Sequence, residues 1–229
     1  VWTGSMNLST NALYRDNNNS LLINSSKLAE NYNAEFKRLF DQDLFGPNPH
    51  EMPNPVVNVN GEIITTYFSP GGGTKNAILR ELKNAKNNIK TMAFSFTDND
   101  MADVIIDKHK NKVKVEGIFD KCLISQYSIF NKLRENNIFV RGDGNQALLH
   151  HKTIIIDDKT VITGSFNFSK NAESNNNENT LIIKSAKLAK QYNNEFSKIK
   201  NAALHNTNLP PYDHPACNNL ASENDEYNF

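Results

Sequence analysis

The stretch LHHKTIIIDDKTVITGSFN, residues 149–167, decides how this chain folds. It joins two runs of apolar, mostly β-branched residues through a charged segment at Asp158-Lys159, which predicts an antiparallel hairpin. Side chains alternate along a strand, so His150 and Lys152 are predicted to lie on one face. An imidazole beside an ammonium group suits an oxyanion such as phosphate, because lysine supplies positive charge and histidine supplies a nucleophile or a proton.

The same residues also allow plainer interpretations. A histidine pair on an apolar strand is often structural, and the sequence Gly-Ser-x-Asn alone is common in turns. A metal site formed by His150, His151 and Asp157 is disfavoured, because Asp157 has the opposite strand parity from His150. Ser165 and Asn167 share one parity, and we expect them to hydrogen-bond the same anion.

The end of this hairpin is repeated at the start of the chain. Residues 1–38 align without a gap on residues 161–198, and about half of the positions are identical. The shift of 160 residues is longer than the period of a solenoid repeat and indicates a duplicated domain. The repeat puts Ser5 and Asn7 at the positions of the serine and asparagine that close the hairpin motif.

Strand-like and helix-like segments alternate along the rest of the chain. Residues 46–61 contain four prolines and two glycines, which indicates a linker. Beyond it the alternation predicts an α/β protein with a mixed sheet. The predicted helices are 74–87 with Thr74 as N-cap, 98–110 capped by Asp98, and 125–136. The core-facing stripes of the two repeated helices are Leu28, Tyr32 and Phe36, and Leu188, Tyr192 and Phe196.

The complete pattern is His-x-Lys, four residues, Asp, six residues and Gly-Ser-x-Asn, and it resembles the HKD signature of the phospholipase D superfamily. Glu178, within NNNENTLII, resembles that family's downstream acidic residue. The segments YFSP, AFSFTDNDMAD and LHHKTIIID resemble its nuclease-like and cardiolipin-hydrolase-like branch. The resemblance implies a mixed sheet flanked by helices in pseudo-two-fold duplicated lobes. Residues 62–200 correspond to one whole lobe and residues 1–40 to the end of another.

The resemblance also implies a mechanism. Members of the superfamily cleave phosphodiesters through a covalent phosphohistidine without a metal or another cofactor, and two HKD motifs meet at one site. His150 is then a nucleophile or a general acid, Lys152 clamps the phosphate, and Glu178 orients the imidazole. Asp157 belongs to the motif, but its parity favours a structural or lobe-contact role. The expected phosphate-binding residues are Ser5, Asn7, Ser165 and Asn167.

The first copy departs from this pattern in two ways. Counting back 14 residues from Gly4 puts its histidine ahead of residue 1. Asn18 stands where Glu178 stands in the second copy, so the first motif is expected to play the less basic role. The predicted organisation is a remnant of the first lobe (1–45), a linker (46–61), a complete second lobe (62–202) and an irregular tail (203–229).

These observations favour a phosphodiester hydrolase whose site is completed by an upstream lobe of the same protein. A homodimer that joins two copies of the motif is one alternative. A non-catalytic phosphate-binding module and a phosphatidyltransferase similar to cardiolipin synthases are others. Each predicts a different outcome when mass in solution and turnover are measured.

Composition leaves the substrate open between DNA, RNA and phospholipid. The formal net charge is zero, so the chain lacks the overall basic character of a dedicated nucleic-acid binder, although a local basic groove is compatible with it. Two distant cysteines give neither zinc-ligand spacing nor a disulfide framework. No apolar run reaches the ~20 residues that span a bilayer. The localisation is open, with secretion or a periplasmic location among the options. Candidate substrate contacts are Lys83, Lys86, Lys90, Lys121 and Arg141 for a nucleic acid, and Tyr67, Phe68 and Leu148 for a lipid.

Overall fold

The computed structural model describes residues 1–47 and 52–205 and confirms the predicted mixed α/β architecture. Its strands are β1 (Trp2–Gly4), β2 (Ser20–Leu22), β3 (Val56–Val59), β4 (Glu62–Ser69), β5 (Asn88–Ala93), β6 (Lys114–Phe119), β7 (Phe139–Gly142), β8 (Lys152–Ile156), β9 (Thr160–Gly164) and β10 (Glu178–Lys184). Its α-helices are α1 (Thr10–Tyr14), α2 (Ser26–Phe40), α3 (Thr74–Asn84), α4 (Asn99–Lys110), α5 (Phe130–Glu135), α6 (Lys170–Ser174) and α7 (Ala186–His205).

A large sheet organises the second lobe, with the strand order β3-β4-β10-β9-β8-β5-β6-β7. Strands β5, β6 and β7 are parallel, whereas the remaining pairs are antiparallel. The predicted hairpin is β8 and β9, in which Ile154 pairs with Ile162 and Ile156 pairs with Thr160. Its turn contains Asp157 and Asp158, both with positive φ, a conformation that Asp tolerates better than most residues do.

Helices cover both faces of this sheet, which explains why the central strands read as continuous apolar runs rather than as alternating ones. Helices α3, α4 and α5 pack on one face and α7 packs on the other. Phe196 and Ile199 of α7 lie against Met92, Ile118 and Ile155 of the sheet. Strand β8, which begins at Lys152, is therefore buried between two layers of helices.

The N-terminal segment forms a separate, smaller unit. Strands β1 and β2 pair antiparallel, and Trp2 stands opposite Leu22. Helix α2 begins at the N-cap Ser25, whose side chain accepts a hydrogen bond from the Leu28 amide. Leu28 packs against β4 and β10 of the large sheet, so this unit is docked on the second lobe.

Several predicted helix features are wrong. Helix α3 begins after Gly73, whose left-handed conformation makes it the N-cap, so Thr74 is not the cap. It ends at Asn84, where Ala85 caps it through a hydrogen bond to the Leu82 carbonyl oxygen, and the amides of Lys86 and Asn87 then bind the Asp157 carboxylate. The helix predicted over 125–136 contains only α5, since the residues before it form tight turns. Phe36, predicted to be core, is 59% exposed.

Two predicted boundaries also move. The linker 46–61 includes β3, which pairs with β4 as an edge strand of the large sheet. The tail predicted from residue 203 begins inside α7, which continues to His205. Residues 48–51 of the predicted linker, and residues 206–229 of the predicted tail with Cys217, lie outside the described residues.

Candidate active site

His150 lies two residues before the start of β8 and is held by the N-terminal segment. Its backbone amide donates to the carbonyl oxygen of Asn17 at 2.9 Å. Its ring nitrogen Nδ1 lies 2.9 Å from the carbonyl oxygen of Ser5 and 3.0 Å from Oδ1 of Asn18. Because both partners are acceptors, Nδ1 carries the proton and Nε2 bears the lone pair. This is the tautomer that can attack an electrophile through Nε2.

The orientation of the Asn18 amide is fixed by its other contacts. Its Nδ2 donates to the carbonyl oxygen of Ala12 at 3.1 Å, so its Oδ1 must face the opposite way. Oδ1 also accepts a hydrogen bond from the Ser5 hydroxyl at 3.0 Å. These hydrogen bonds prevent the Asn18 amide from rotating, so it presents its oxygen to His150.

Lys152 lies beside His150, as the strand parity predicted. Its ammonium donates to the carbonyl oxygen of His150 at 3.1 Å and lies 4.5 Å from the centre of the Phe94 ring. The His150 ring packs on the same phenylalanine, with centroids 4.6 Å apart. Phe94, which directly follows the neighbouring strand β5, thus contacts both groups.

Burial perturbs the protonation of both groups. Lys152 is 4% exposed, and this burial lowers its pKa to about 7, while the carboxylates of Glu178, Asp120 and Asp16 act in the opposite direction. Burial and then the Lys152 ammonium lower the pKa of His150 to about 3. A neutral imidazole therefore stands beside a lysine that titrates near neutral pH.

Glu178 is the first residue of β10 and contacts other residues than His150. It accepts hydrogen bonds from the Ser165 hydroxyl and from Nδ2 of Asn176, the latter at 3.3 Å. Burial raises its pKa above the usual value for glutamate. In the described part of the chain His150 is oriented by Asn18 and Ser5, which replaces the predicted pairing of this imidazole with Glu178.

His151 faces away from Lys152 and meets a buried amide. The Asn19 side chain accepts at Oδ1 from the hydroxyls of Thr163 and Tyr192, each at 3.0 Å. Its Nδ2 consequently points at Nδ1 of His151, 3.0 Å away. Since Nδ2 is a donor, Nδ1 of His151 must accept, and this ring is neutral. Burial, Lys152 and Lys198 lower the pKa of His151 to about 3.

The same arrangement occurs again with the roles of the two copies exchanged. Asn179 accepts at Oδ1 from the hydroxyl of Thr3 at 2.7 Å and from that of Tyr32 at 3.2 Å. Under the repeat, these residues correspond to those that surround Asn19. The hydroxyls of each copy thus donate hydrogen bonds to an asparagine of the other copy. This exchange defines a pseudo-two-fold axis between the two units.

The four predicted phosphate-binding residues have different surroundings. The hydroxyls of Ser5 and Ser165 each accept from the backbone amide of the paired strand, so both are already engaged. Asn7 is exposed and shares one cleft with both serines. Asn167 is not among the residues that line this cleft, and its Oδ1 is buried without a hydrogen-bond partner in the described residues.

Asp157 lies at the opposite end of β8 from His150. Its carboxylate accepts hydrogen bonds from the backbone amides of Lys86 at 2.9 Å, Asn87 at 2.6 Å and Asn88 at 3.1 Å. These contacts fix the entry into β5, the strand that pairs with β8. They agree with the structural role that its parity favoured.

Asp120 was not predicted from the sequence, although it positions the motif. It is fully buried and accepts a hydrogen bond from the amide of Leu149, the residue before His150, at 2.7 Å. Burial, together with the nearby Asp143, raises its pKa to about 7. The sequence feature that could have revealed it is an aspartate directly after the strand β6.

The predicted substrate contacts are only partly available. Phe68 and Leu148 are 6% and 7% exposed and belong to the core, and Lys90 is paired with Asp158. Within residues 1–47 and 52–205, no group of three or more His, Cys, Asp and Glu side chains is arranged to hold a metal ion. None of the helices described is both long enough and apolar enough to cross a membrane.

Comparison with known proteins places the chain in a family. Residues 78–200 match the family model described as "Cardiolipin synthase, PLD-like domain". Phospholipase D of Rickettsia typhi is 33% identical over 173 residues, which cover 74% of this chain and 85% of that protein. The mitochondrial cardiolipin hydrolase of Chlamydomonas reinhardtii is 28% identical over 202 residues, which cover 77% of this chain and 90% of that protein.

Solved structures agree with this placement. Nuc of Salmonella typhimurium, a phospholipase D family member, aligns with a TM-score of 0.59 at 33% identity, over 62% of this chain and 95% of that chain. The phosphatidylserine synthase of Haemophilus influenzae aligns over 98% of this chain and 66% of that chain, with a TM-score of 0.64 at 14% identity, and shows a shared fold. The resemblance seen in the sequence is confirmed, and the chain belongs to the phospholipase D superfamily of phosphodiester hydrolases.

Proposed function

We propose that this chain hydrolyses phosphodiester bonds through a covalent phosphohistidine formed at His150, without a metal ion. The observation that carries the proposal is the tautomer of His150. Two acceptors, the Ser5 carbonyl oxygen and Oδ1 of Asn18, hold Nδ1 in its protonated form. The lone pair is thereby placed on Nε2, in a ring that packs on the same phenylalanine, Phe94, as the ammonium group of Lys152.

The proposed reaction has two steps. Nε2 of His150 attacks phosphorus, the bond from phosphorus to the leaving oxygen breaks, and a general acid protonates that oxygen. Water then attacks the phosphohistidine and gives a proton to the conjugate base of the general acid, and the phosphorus–nitrogen bond breaks, which restores the imidazole and the acid. Lys152 stabilises the negative charge on the non-bridging oxygens in both steps, because a buried ammonium acts strongly at short range.

The general acid is proposed to be a second histidine. The repeat and the exchanged asparagine contacts relate Glu178 and Ser165 to Asn18 and Ser5. A histidine related to His150 by the same axis would contact the Glu178 carboxylate. We propose that an upstream lobe of the same protein supplies it. A second copy of this chain is the alternative, and the mass in solution distinguishes the two.

The test compares two histidine variants in a turnover assay. His150→Ala is expected to abolish hydrolysis of bis(p-nitrophenyl) phosphate, whereas His205→Ala, at the exposed end of α7, retains it. The assay is run on this chain and on the chain extended by any upstream coding sequence. Acid-quenched protein is digested, and the phosphorylated histidine is located by mass spectrometry. Turnover in His150→Ala at the parental rate would refute the proposal.

The substrate class follows from a panel offered to the active form. Single-stranded DNA, RNA, cardiolipin and phosphatidylcholine distinguish a nuclease from a phospholipase. Transfer of the phosphatidyl group to an added alcohol rather than to water would indicate a phosphatidyltransferase. Saturable binding of tungstate without turnover on any member would indicate a non-catalytic phosphate-binding module instead.

A further inference from the structure

We infer that Asn18 is the positioning residue that keeps the His150 imidazole neutral and so makes His150 the nucleophile, leaving protonation of the leaving group to the imidazole that contacts Glu178. The inference rests on the proposed phosphohistidine mechanism. It assigns unequal tasks to two halves that the repeat makes otherwise alike, and it traces the difference to one pair of side chains.

The contact between Asn18 and His150 is a hydrogen bond to an uncharged acceptor. The amide Oδ1 accepts the Nδ1 proton of His150 but carries no charge. A carboxylate at this place would favour the imidazolium form, because a negative charge within hydrogen-bond distance raises the proton affinity of a histidine. Asn18 cannot change its role by rotating, since its Nδ2 is bound to the carbonyl oxygen of Ala12.

The symmetry-related position carries a charged acceptor instead. Glu178 stands at the position of Asn18 in the repeat, and each accepts a hydrogen bond from the serine of its own copy. The two halves of the site therefore share the same serine and asparagine framework and differ by one negative charge. A carboxylate partner is the usual means of holding an imidazolium that donates a proton.

Other charged groups around His150 also affect its protonation. His151 and Lys152 directly follow His150 in the chain, and both disfavour a second proton on the His150 ring. The carboxylates of Asp16, Asp120 and Glu178 act on the Lys152 ammonium. Because Asn18 is uncharged, the groups that hydrogen-bond the His150 ring add no negative charge that would offset the lowering of its pKa by burial.

This assignment reverses an expectation from the sequence. Asn18, at the position of Glu178, was expected to give the first motif the less basic role. The contact in the structure runs across the axis, so Asn18 acts on the histidine of the second motif. The less basic histidine is therefore His150.

The experiment titrates the His150 ring by NMR in protein labelled with ¹³C and ¹⁵N at histidine. Asn18→Asp is expected to increase the proton affinity of His150 about tenfold or more, which is the usual effect of an adjacent carboxylate. Asn17→Asp is the matched control, because it adds the same charge one residue away. Urea unfolding shows whether each variant is folded. If Asn18→Asp fails to fold, Asn18→Glu, which copies Glu178, takes its place.

An equal shift in both variants, or none in the Asn18 variant, would overturn the inference whether or not the protein turns over substrate. In the active form, Asn18→Asp is expected to move the acidic limb of the kcat/KM profile to higher pH by the same amount. Phosphate trapped on a histidine other than His150 would also overturn it. A shifted ring without any turnover supports the role of Asn18 and refutes the proposed function, so the two failures are distinguishable.

Discussion

At the scale of single residues, protonation at this site is set by which end of an amide faces a ring. Asn19 presents its Nδ2 to His151, and Asn18 presents its Oδ1 to His150. Neither orientation can be read from the sequence. Each depends on hydroxyl and carbonyl groups that lie more than a hundred residues away or on the far side of a turn.

The stability of the protein is expected to depend on His151 at acidic pH. Its pKa is about 3 in the folded protein, below the ordinary value of 6.5, so its contribution is complete above pH 6.5 and is lost as pH falls towards 3. His151→Asn should reduce the slope of unfolding free energy against pH by about 1.4 kcal/mol per unit in this window. Urea unfolding at pH 4.5, 5.5 and 6.5 measures it, and an unchanged slope would contradict the neutral assignment.

Anion binding is expected to weaken as pH rises through neutrality. The pKa of Lys152 is about 7, so its ammonium loses its proton above that value and attracts an oxyanion less. Tungstate, whose charge is constant over this range, should bind about tenfold less tightly or weaker at pH 9 than at pH 6. Calorimetry tests this. Lys152→Met should remove the pH dependence, and Lys190→Met, exposed on α7, should keep it.

At the scale of elements, the β8–β9 hairpin contains most of what the sequence predicted correctly. Its apolar runs and its turn are local properties of one stretch, and the turn includes Asp157 as well as the predicted Asp158-Lys159. The partner of His150 could not be found in the same way. Asn18 comes close only through the docking of β1 and β2, and no local pattern encodes that contact.

Two adjacent aspartates of the turn are expected to differ in their importance for stability. Asp157 accepts hydrogen bonds from three successive backbone amides at the start of β5, whereas Asp158 forms a half-exposed ion pair with Lys90. Asp157→Asn should cost roughly 2 kcal/mol of unfolding free energy, because charged acceptors are worth more than neutral ones. Asp158→Asn should cost less than about 1 kcal/mol.

Asparagine tolerates the positive φ at both positions, so the pair of variants isolates the carboxylate. Denaturant midpoints at pH 7 measure the difference. The ring signals of His150 are expected to stay unchanged in both variants, because Asp157 lies at the far end of β8. Equal losses of stability would show that the amide contacts are not the reason for the difference.

At the scale of the whole molecule, the repeat predicted duplication but not how much of each copy would be buried. Phe196 of α7 is 2% exposed beneath the large sheet, while its counterpart Phe36 of α2 is 59% exposed. The same helix pattern thus has a sheet to cover in one unit and not in the other, within the described residues. A hydrophobic period indicates which face is apolar, and only the assembled fold determines whether that face is covered.

The exchanged asparagines are expected to hold the two units together. Asn19→Ala leaves the hydroxyls of Thr163 and Tyr192 and Nδ1 of His151 without their partner. The loss should be roughly 3 kcal/mol, since each stranded polar group carries its own desolvation cost. Asn201→Ala, exposed on α7, should stay within about 0.5 kcal/mol of the parent. Equal denaturant midpoints for the two variants would show that Asn19 does not hold the two units together.

The docking of the N-terminal segment also determines when the site forms during folding. The contact from Ser5 to His150 joins residues 145 positions apart, and closing such a distant loop is slow compared with local structure. The lobe that carries the motif can therefore gain its helices and strands before its nucleophile is oriented. Trp2, the single tryptophan, lies on β1 and reports the later event. In refolding, far-ultraviolet circular dichroism should recover first, and tryptophan fluorescence should recover together with reactivity at His150.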